Sequence, residues 1–147
     1  MTRLDDSRCR SSGRGSIDRR GGDWQGYEER DLEAVIDLGA PTAVRRVKVG
    51  FLQNAWARVF LPTEVEISVS EDGETFSSLG TLAHDVPWDD YTPVRRYFEA
   101  PAEPGSGDEP PAVRFVRIRA ANRGLTPAGH DRAGESAWLY VDEIIVR

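Results

Sequence analysis

The chain has 147 residues, of which 39% are hydrophobic and 30% charged, and its formal net charge is −6. This length and composition predict one soluble globular domain with a core that needs no disulfide, and the single cysteine, Cys9, excludes an internal one. No apolar run approaches the ~20 residues of a membrane span, and the acidic balance argues against nucleic-acid binding.

The chain begins with a polar segment. Residues 1–22 are rich in Arg, Ser, Gly and Asp and hold few apolar side chains, which predicts an N-terminal arm or loop region. The same residues lack the apolar stretch that a secretory signal peptide requires. We therefore expect a folded domain over residues 23–147, preceded by this arm.

From residue 33 onward, apolar and polar residues alternate in short runs separated by turn residues. Apolar side chains occupy every second position of 47–51 and 65–69, so each of these strands should have one buried and one solvent-facing side. The predicted strands are 33–38, 44–52, 63–70, 76–82, 94–99, 113–121 and 137–147. Residues 39–41 and 71–74 predict turns, the second a hairpin turn at Gly73. Many short strands without a long helical stripe indicate an all-β antiparallel sandwich or barrel.

The loop at residues 53–58 joins two of these strands and holds an amide pair, a tryptophan and an arginine, which suits recognition more than catalysis. The chain has no nucleophile elbow, phosphate-binding loop or zinc-binding helix, and its two histidines lie in different loops. Asp89 and Asp90 are adjacent, so they are poorly placed to face each other across a glycosidic bond. The sequence therefore predicts a protein that is not an enzyme.

Five stretches of the sequence resemble the discoidin family, also called F5/8 type C or carbohydrate-binding module family 32. They are RGSIDRRGGDWQGY at 14–27, DLEAVIDLG at 31–39, GFLQ at 50–53, FLPTEVEISVSEDG at 60–73 and AWLYVDEIIV at 137–146. Their likeness is greatest to the discoidin-like domains at the C-terminal end of bacterial β-N-acetylhexosaminidases. The resemblance implies a jelly-roll β-sandwich of about eight strands, similar to galactose-binding domains, with a binding surface on loops at one end.

Sugar recognition needs aromatic rings for the apolar faces of pyranoses and polar side chains for the hydroxyls. The candidate ligand-binding residues, all placed in or beside loops, are Gln53, Asn54, Trp56, Arg58, His84, Trp88, Tyr91, Arg123 and His130. Trp56 and Trp88 are the stacking candidates. As alternatives, Trp56 closes the end of the core as a lid, and Trp88 is an ordinary loop aromatic.

Three further residues have a structural interpretation. Trp24 and Trp138 adjoin predicted strands, so we expect both in the core. For His130, the alternative to a ligand contact is a loop histidine whose hydrogen bonds are satisfied within the protein.

The resemblance also implies a structural calcium ion near the chain termini. Calcium binds six to eight oxygen ligands, and the candidates here are Asp6, Ser16, Asp18 and Glu143. Glu143 has the same alternation phase as the apolar residues of the last strand, so a buried carboxylate there would need a partner. A metal ion or an arginine such as Arg114 would satisfy it.

Together these features predict a non-catalytic carbohydrate-binding module appended to a secreted bacterial glycoside hydrolase. Its partners would then be a glycan containing N-acetylhexosamine or galactose and a catalytic domain of the same or a larger protein. Its location would be extracellular or periplasmic. The alternative is a structural or protein-interaction domain that packs on a neighbouring catalytic domain and has no sugar site.

Overall fold

Two antiparallel β-sheets pack face to face in the computed structural model, which describes residues 9–11, 25–102 and 109–147. The strands of the described residues are β1 (Cys9–Ser11), β2 (Gln25–Glu28), β3 (Leu32–Ala43), β4 (Arg46–Gln53), β5 (Val65–Ser70), β6 (Ser77–Leu82), β7 (Val94–Pro101), β8 (Ala112–Ala120) and β9 (Trp138–Val146). One sheet has the order β1-β3-β8-β5-β6 and the other β2-β9-β4-β7. The predicted all-β sandwich is confirmed. Within the described residues, no helix has the length and apolar character to cross a membrane.

The core lies between the sheets and follows the predicted alternation. Val49 and Phe51 of β4 and Ile67 of β5 are fully buried, and Phe51 meets Phe98 of β7 edge to face, with 5.6 Å between ring centroids. Burying each such side chain stabilises the fold by about 1.5–3 kcal/mol relative to leaving it exposed. These inward-facing residues hold the two sheets together and give the loops at the sandwich ends a rigid base.

Two polar residues of β5 depart from the predicted pattern, since Ser68 and Ser70 are buried on the outer face of their sheet. Arg117 of β8 lies opposite Ser68, and its guanidinium group stacks on the ring of Phe76 at 4.1 Å. This stack covers part of a face that alternation alone would assign to solvent.

Strand β2 was not among the predicted strands, and β1 and β3 also go beyond the sequence prediction. Cys9–Ser11 falls within the segment predicted as an arm, yet it pairs antiparallel with residues 34–36 of β3 and adds an edge strand. β3 itself continues through the predicted turn at 39–41, because its pairing with β8 shifts register between Asp37 and Thr42. Gly39, with φ +87°, lies in this irregularity and lets the strand resume instead of ending.

The hairpin turn predicted at residues 71–74 is present. The carboxylate of Asp72 accepts hydrogen bonds of 2.9 Å from the backbone N–H groups of Glu74 and Thr75, and Gly73 has φ +80°. These bonds, together with one from the Ser70 hydroxyl, lower the pKa of Asp72 from its ordinary value.

Trp138 does not enter the core, contrary to expectation. Its neighbour Leu139 takes the inward position with 1% exposure, so alternation turns Trp138 to the outer face. There it meets Tyr140 edge to face at 6.0 Å. Gly26 of β2 lies opposite Tyr140, and a Cβ there would come within 2.7 Å of the tyrosine ring. Trp24, the other tryptophan expected in the core, lies outside the described residues.

Candidate functional site

Three loops meet at one end of the sandwich and are joined by side-chain bonds to backbone carbonyls. The loops are 54–64, 83–93 and 121–137, which follow β4, β6 and β8. The three bonds are Gln53 Nε2 to Pro87 O at 2.8 Å, His130 Nε2 to Ala55 O at 2.8 Å and Arg58 Nη1 to Ser136 O at 2.6 Å. Because each bond links two different loops or a strand and a loop, the surface they support is held as a unit.

Trp56 is displayed on a short 3-10 turn, Ala55–Ala57, directly after β4. The carbonyl of Asn54 accepts hydrogen bonds from the N–H groups of Ala57 and Val59, and Arg58 adopts a left-handed conformation with φ +61° that reverses the chain. Trp56 is 68% exposed, and its ring lies 4.5 Å from the ring of Tyr91, centroid to centroid, with the planes tilted by 54°. Trp56 is therefore presented to solvent and does not act as a lid over the core.

Beneath Trp56 lies a stack of aromatic rings. Tyr91 stacks on His130 with 5.8 Å between centroids and 20° between planes, and Trp88 lies 6.2 Å from the same imidazole. The small buried cluster of Ala55, Phe60 and Ala137 packs under Trp88 and Tyr91. We call Trp56, Trp88, Tyr91 and His130 the aromatic ledge.

Gln53, below the ledge, and His130, its innermost ring, are both buried. Gln53 is 1% exposed and His130 7% exposed. Both imidazole nitrogens of His130 are engaged, since Nδ1 accepts a hydrogen bond of 2.9 Å from the N–H of Arg132. The side chains of Gln53 and His130, both predicted to contact a ligand, are hydrogen-bonded within the protein. For His130 this agrees with the alternative of a loop histidine whose hydrogen bonds are satisfied internally.

Polar groups flank the ledge. Arg58 is half-buried, and its Nε, like Oδ1 of Asn54, is buried without a hydrogen-bond partner among the described residues. Arg123 is exposed, with its guanidinium carbon 5.8 Å from the centre of the Phe60 ring. Asn54 and Arg58 thus flank the turn that carries Trp56, and Arg123 lies in the loop 121–137, which also holds His130.

His84 lies in a separate groove. The groove, of about 210 Å³, runs between the edge strands β6 and β7, and Asp85, Arg96 and Phe98 also line it. Nδ1 of His84 accepts a hydrogen bond of 3.0 Å from the N–H of Val86. Burial lowers the pKa of His84; Asp85 opposes this shift, whereas the positive charges of Arg123 and Arg96 add to it. No ledge residue lines this groove.

Glu143 is the calcium candidate that lies within the described residues. Glu143 lies where the pairing of β9 with β4 shifts register, so it leaves the inward phase of Val141, and its carboxylate accepts a bond of 3.1 Å from the Tyr97 hydroxyl. Arg95 lies 3.8 Å from the same carboxylate, whereas Arg114 pairs with Asp37. Glu143 thus has partners within the protein, and its role as a calcium ligand stays a prediction.

Asp6, Ser16 and Asp18 lie outside the described residues, and within those residues no group of three or more His, Cys, Asp or Glu side chains is arranged to hold a metal. The calcium site therefore stays a prediction of the resemblance.

Phe60 was not among the predicted site residues, and the compact conformation of the loop after β8, which holds the predicted residues Arg123 and His130, was not predicted. In that loop the N–H of Thr126 donates a hydrogen bond of 2.8 Å to the carbonyl of Glu135, and Gly129 and Gly134 have φ of +98° and +83°. The glycines were the available signal, because residues with positive φ mark a tightly folded loop. The apolar Phe60 directly after the Trp56 turn gave no comparable signal.

Comparison with known proteins gives one family and a set of similar folds. The sequence model described as F5/8 type C domain matches residues 6–130. No curated protein is significantly similar in sequence. The solved structure of CpGH89CBM32-6 produced by Clostridium perfringens has a TM-score of 0.51 and 14% identity, covering 95% of this chain and 90% of that one.

A second solved structure is CpGH89CBM32-4 from the same organism, in complex with GlcNAc-α-1,4-galactose. Its TM-score is 0.50 and its identity 9%, with 92% of this chain and 88% of that chain covered. At such identities the likeness establishes the shared β-sandwich fold and nothing finer.

Proposed function

Since the chain belongs to the F5/8 type C domain family, we propose that it is a non-catalytic carbohydrate-binding module that recognises glycan through the aromatic ledge. The observation that carries this proposal is the display of Trp56. A tryptophan ring that is 68% exposed, yet held by a fixed turn and by contact with Tyr91, is a preformed stacking surface.

The ledge offers the two kinds of contact that a sugar needs. The indole face of Trp56 packs against the C–H face of a pyranose, while Arg58, Asn54 and Arg123 supply hydrogen bonds to hydroxyl or acetamido groups. A preformed surface loses little conformational entropy on binding, which favours affinity even for a small contact area.

The proposed ligand is a glycan that contains N-acetylhexosamine or galactose. This choice is supported by the structural neighbour from Clostridium perfringens that was solved with GlcNAc-α-1,4-galactose. We further propose that the module is appended to a secreted bacterial glycoside hydrolase. The sequence resemblance suggests that this enzyme is a β-N-acetylhexosaminidase. Its location would then be extracellular or periplasmic, and weak binding would raise the local concentration of substrate near the catalytic domain.

Titration of the protein with GlcNAc-α-1,4-galactose, galactose, N-acetylglucosamine and chitooligosaccharides, followed by calorimetry, tests the proposal. We expect Trp56→Ala to lower the affinity about fivefold or more without a change in the melting temperature, because stacking of a pyranose on an exposed indole ring contributes about 1 kcal/mol or more.

Tyr97→Ala is the matched control. Tyr97 is also exposed, but it lies on the outer face of the sheet β2-β9-β4-β7 and belongs to none of the three loops. The Tyr97→Ala variant should bind these sugars with the affinity of the wild type. Failure of the wild type to bind any of these sugars would remove the proposal and favour the interaction-domain alternative. Equal losses in both variants would show that the ledge is not the binding surface.

A further inference from the structure

We propose that His130 is a positioning residue of this site: by binding the carbonyl of Ala55 and stacking on Tyr91, its imidazole sets the relative placement of Trp56 and Tyr91. The inference rests on the proposed function, because it concerns how the ledge is prepared for glycan. It assigns His130 no contact with the sugar.

The hydrogen-bond partners of His130 define its tautomer. The N–H of Arg132 donates to Nδ1 at 2.9 Å, so Nδ1 carries no proton in this arrangement. The ring proton is therefore on Nε2, which lies 2.8 Å from the Ala55 carbonyl and donates to it. One neutral imidazole thus acts as acceptor for its own loop and as donor for the loop that carries Trp56.

The bond to Ala55 is well placed to orient Trp56. The 3-10 turn has no side-chain cap, because Asn54 makes no capping hydrogen bond. Within the turn, the Ala55 carbonyl accepts only a local bond of 3.1 Å from the N–H of Arg58. The bond from His130 crosses from a segment 75 residues away and thereby fixes the turn to the rest of the domain.

The same ring also orders the second aromatic of the ledge. Its plane lies 20° from that of Tyr91, and Tyr91 in turn contacts Trp56 at 4.5 Å. Phe60 meets the imidazole edge to face at 6.2 Å from the core side. His130 consequently contacts the turn that carries Trp56, the ring of Tyr91 and Phe60 of the buried cluster at once.

Two substitutions distinguish the donor role of Nε2 from the acceptor role of Nδ1. In His130→Gln the amide NH₂ occupies the place of Nε2 and retains the donor to Ala55, whereas in His130→Asn the amide oxygen occupies the place of Nδ1 and retains only the acceptor for Arg132. Fluorotryptophan incorporated into both variants and the wild type reports on Trp56 by ¹⁹F NMR, with its signal assigned from Trp56→Phe. Affinity for GlcNAc-α-1,4-galactose is measured on the same samples.

We expect His130→Gln, which loses the ring stacked on Tyr91 but keeps the donor to Ala55, to hold the Trp56 signal and to bind within about twofold of the wild type, because the hydrogen bond contributes more than the stack to the placement of Trp56. His130→Asn should shift or broaden the Trp56 signal, leave that of Trp138 unchanged and weaken binding about three- to tenfold, in line with the loss of one hydrogen bond. Equal behaviour of the two variants, or an unchanged Trp56 signal in His130→Asn, would overturn the inference.

If His130→Asn does not fold, His130→Met replaces it, because methionine has comparable length but no donor, and the same expectations apply. Absence of sugar binding in the wild type would instead count against the proposed function. In that case the NMR comparison still decides whether His130 places Trp56.

Discussion

The side-chain amide of Gln53 donates a hydrogen bond of 2.8 Å to the carbonyl oxygen of Pro87. Gln53 is the last residue of β4 and is 1% exposed, whereas Pro87 precedes Trp88 in the loop between β6 and β7. A rigid central strand therefore anchors a loop that supplies two rings of the ledge.

Replacing Gln53 with alanine should lower the free energy of unfolding by about 2 kcal/mol, because it removes the donor for a carbonyl and leaves a small cavity. Gln53→Met keeps most of the volume and should cost less, about 1 kcal/mol. Urea denaturation measures both. A Gln53→Met variant as unstable as Gln53→Ala would show that the hydrogen bond, more than volume, accounts for the loss, and two neutral variants would contradict the prediction.

Packing on the outer face of the sheet β2-β9-β4-β7 can be tested at Gly26. Gly26 lies opposite Tyr140, and a Cβ at Gly26 would come within 2.7 Å of the Tyr140 ring. Gly26→Ala should therefore displace the ring and lower the free energy of unfolding by about 1 kcal/mol. In a Tyr140→Ala background the same substitution should cost clearly less, since only the Trp138 ring, 3.3 Å from the added Cβ, then remains close to it. An identical cost in both backgrounds, measured by a double-mutant cycle, would rule out this close approach as the cause.

His84 predicts a dependence of stability on pH. Burial lowers its pKa below the ordinary value of 6.5, so the unfolded chain takes up this proton at a higher pH than the folded chain does. The stabilisation is complete above pH 6.5 and is lost as the pH falls through the folded-state pKa.

His84→Asn retains an acceptor for the N–H of Val86 but does not titrate. The melting temperature of the wild type should consequently fall more than that of His84→Asn between pH 7.5 and pH 5.5. Parallel pH profiles of the two proteins would contradict this account.

The strands could be predicted from sequence because a half-buried strand places a local signal, alternation, in consecutive residues. The buried positions of Val49, Phe51 and Ile67 follow from that signal alone. Glu143 shows its limit, since a register shift between β9 and β4 moved the carboxylate out of the phase that alternation assigned to it. Nothing local in the sequence marks that shift.

The candidate site was predictable in its residue types and less so in its arrangement. Trp56 was identified as a loop tryptophan, but its display depends on the left-handed conformation of Arg58, which is uncommon for a residue with a side chain. His130 and Ala55 are 75 residues apart, and a bond at that separation is set by the tertiary fold. Sequence reasoning could therefore name the ledge residues without separating those that face solvent from those that support them.

The hairpin between β5 and β6 allows a test of acid sensitivity. The backbone N–H groups of Thr75 and Glu74 lower the pKa of Asp72 below its ordinary value of 3.8. A group whose pKa is depressed on folding stabilises the folded state above its unfolded-state pKa, and that contribution disappears as the pH falls through the folded-state pKa.

Asp72→Ala removes the acceptor for both N–H groups and should lower the urea midpoint at pH 6.5. At lower pH the wild type also loses the charged carboxylate, so the gap between the two proteins should narrow steadily below pH 3.8. Glu71→Ala is the matched control, because Glu71 is an exposed acidic residue of the same turn, and it should change the midpoint little at either pH. A gap between wild type and Asp72→Ala that stays constant down to pH 2.5 would show that the ionised carboxylate does not stabilise this turn.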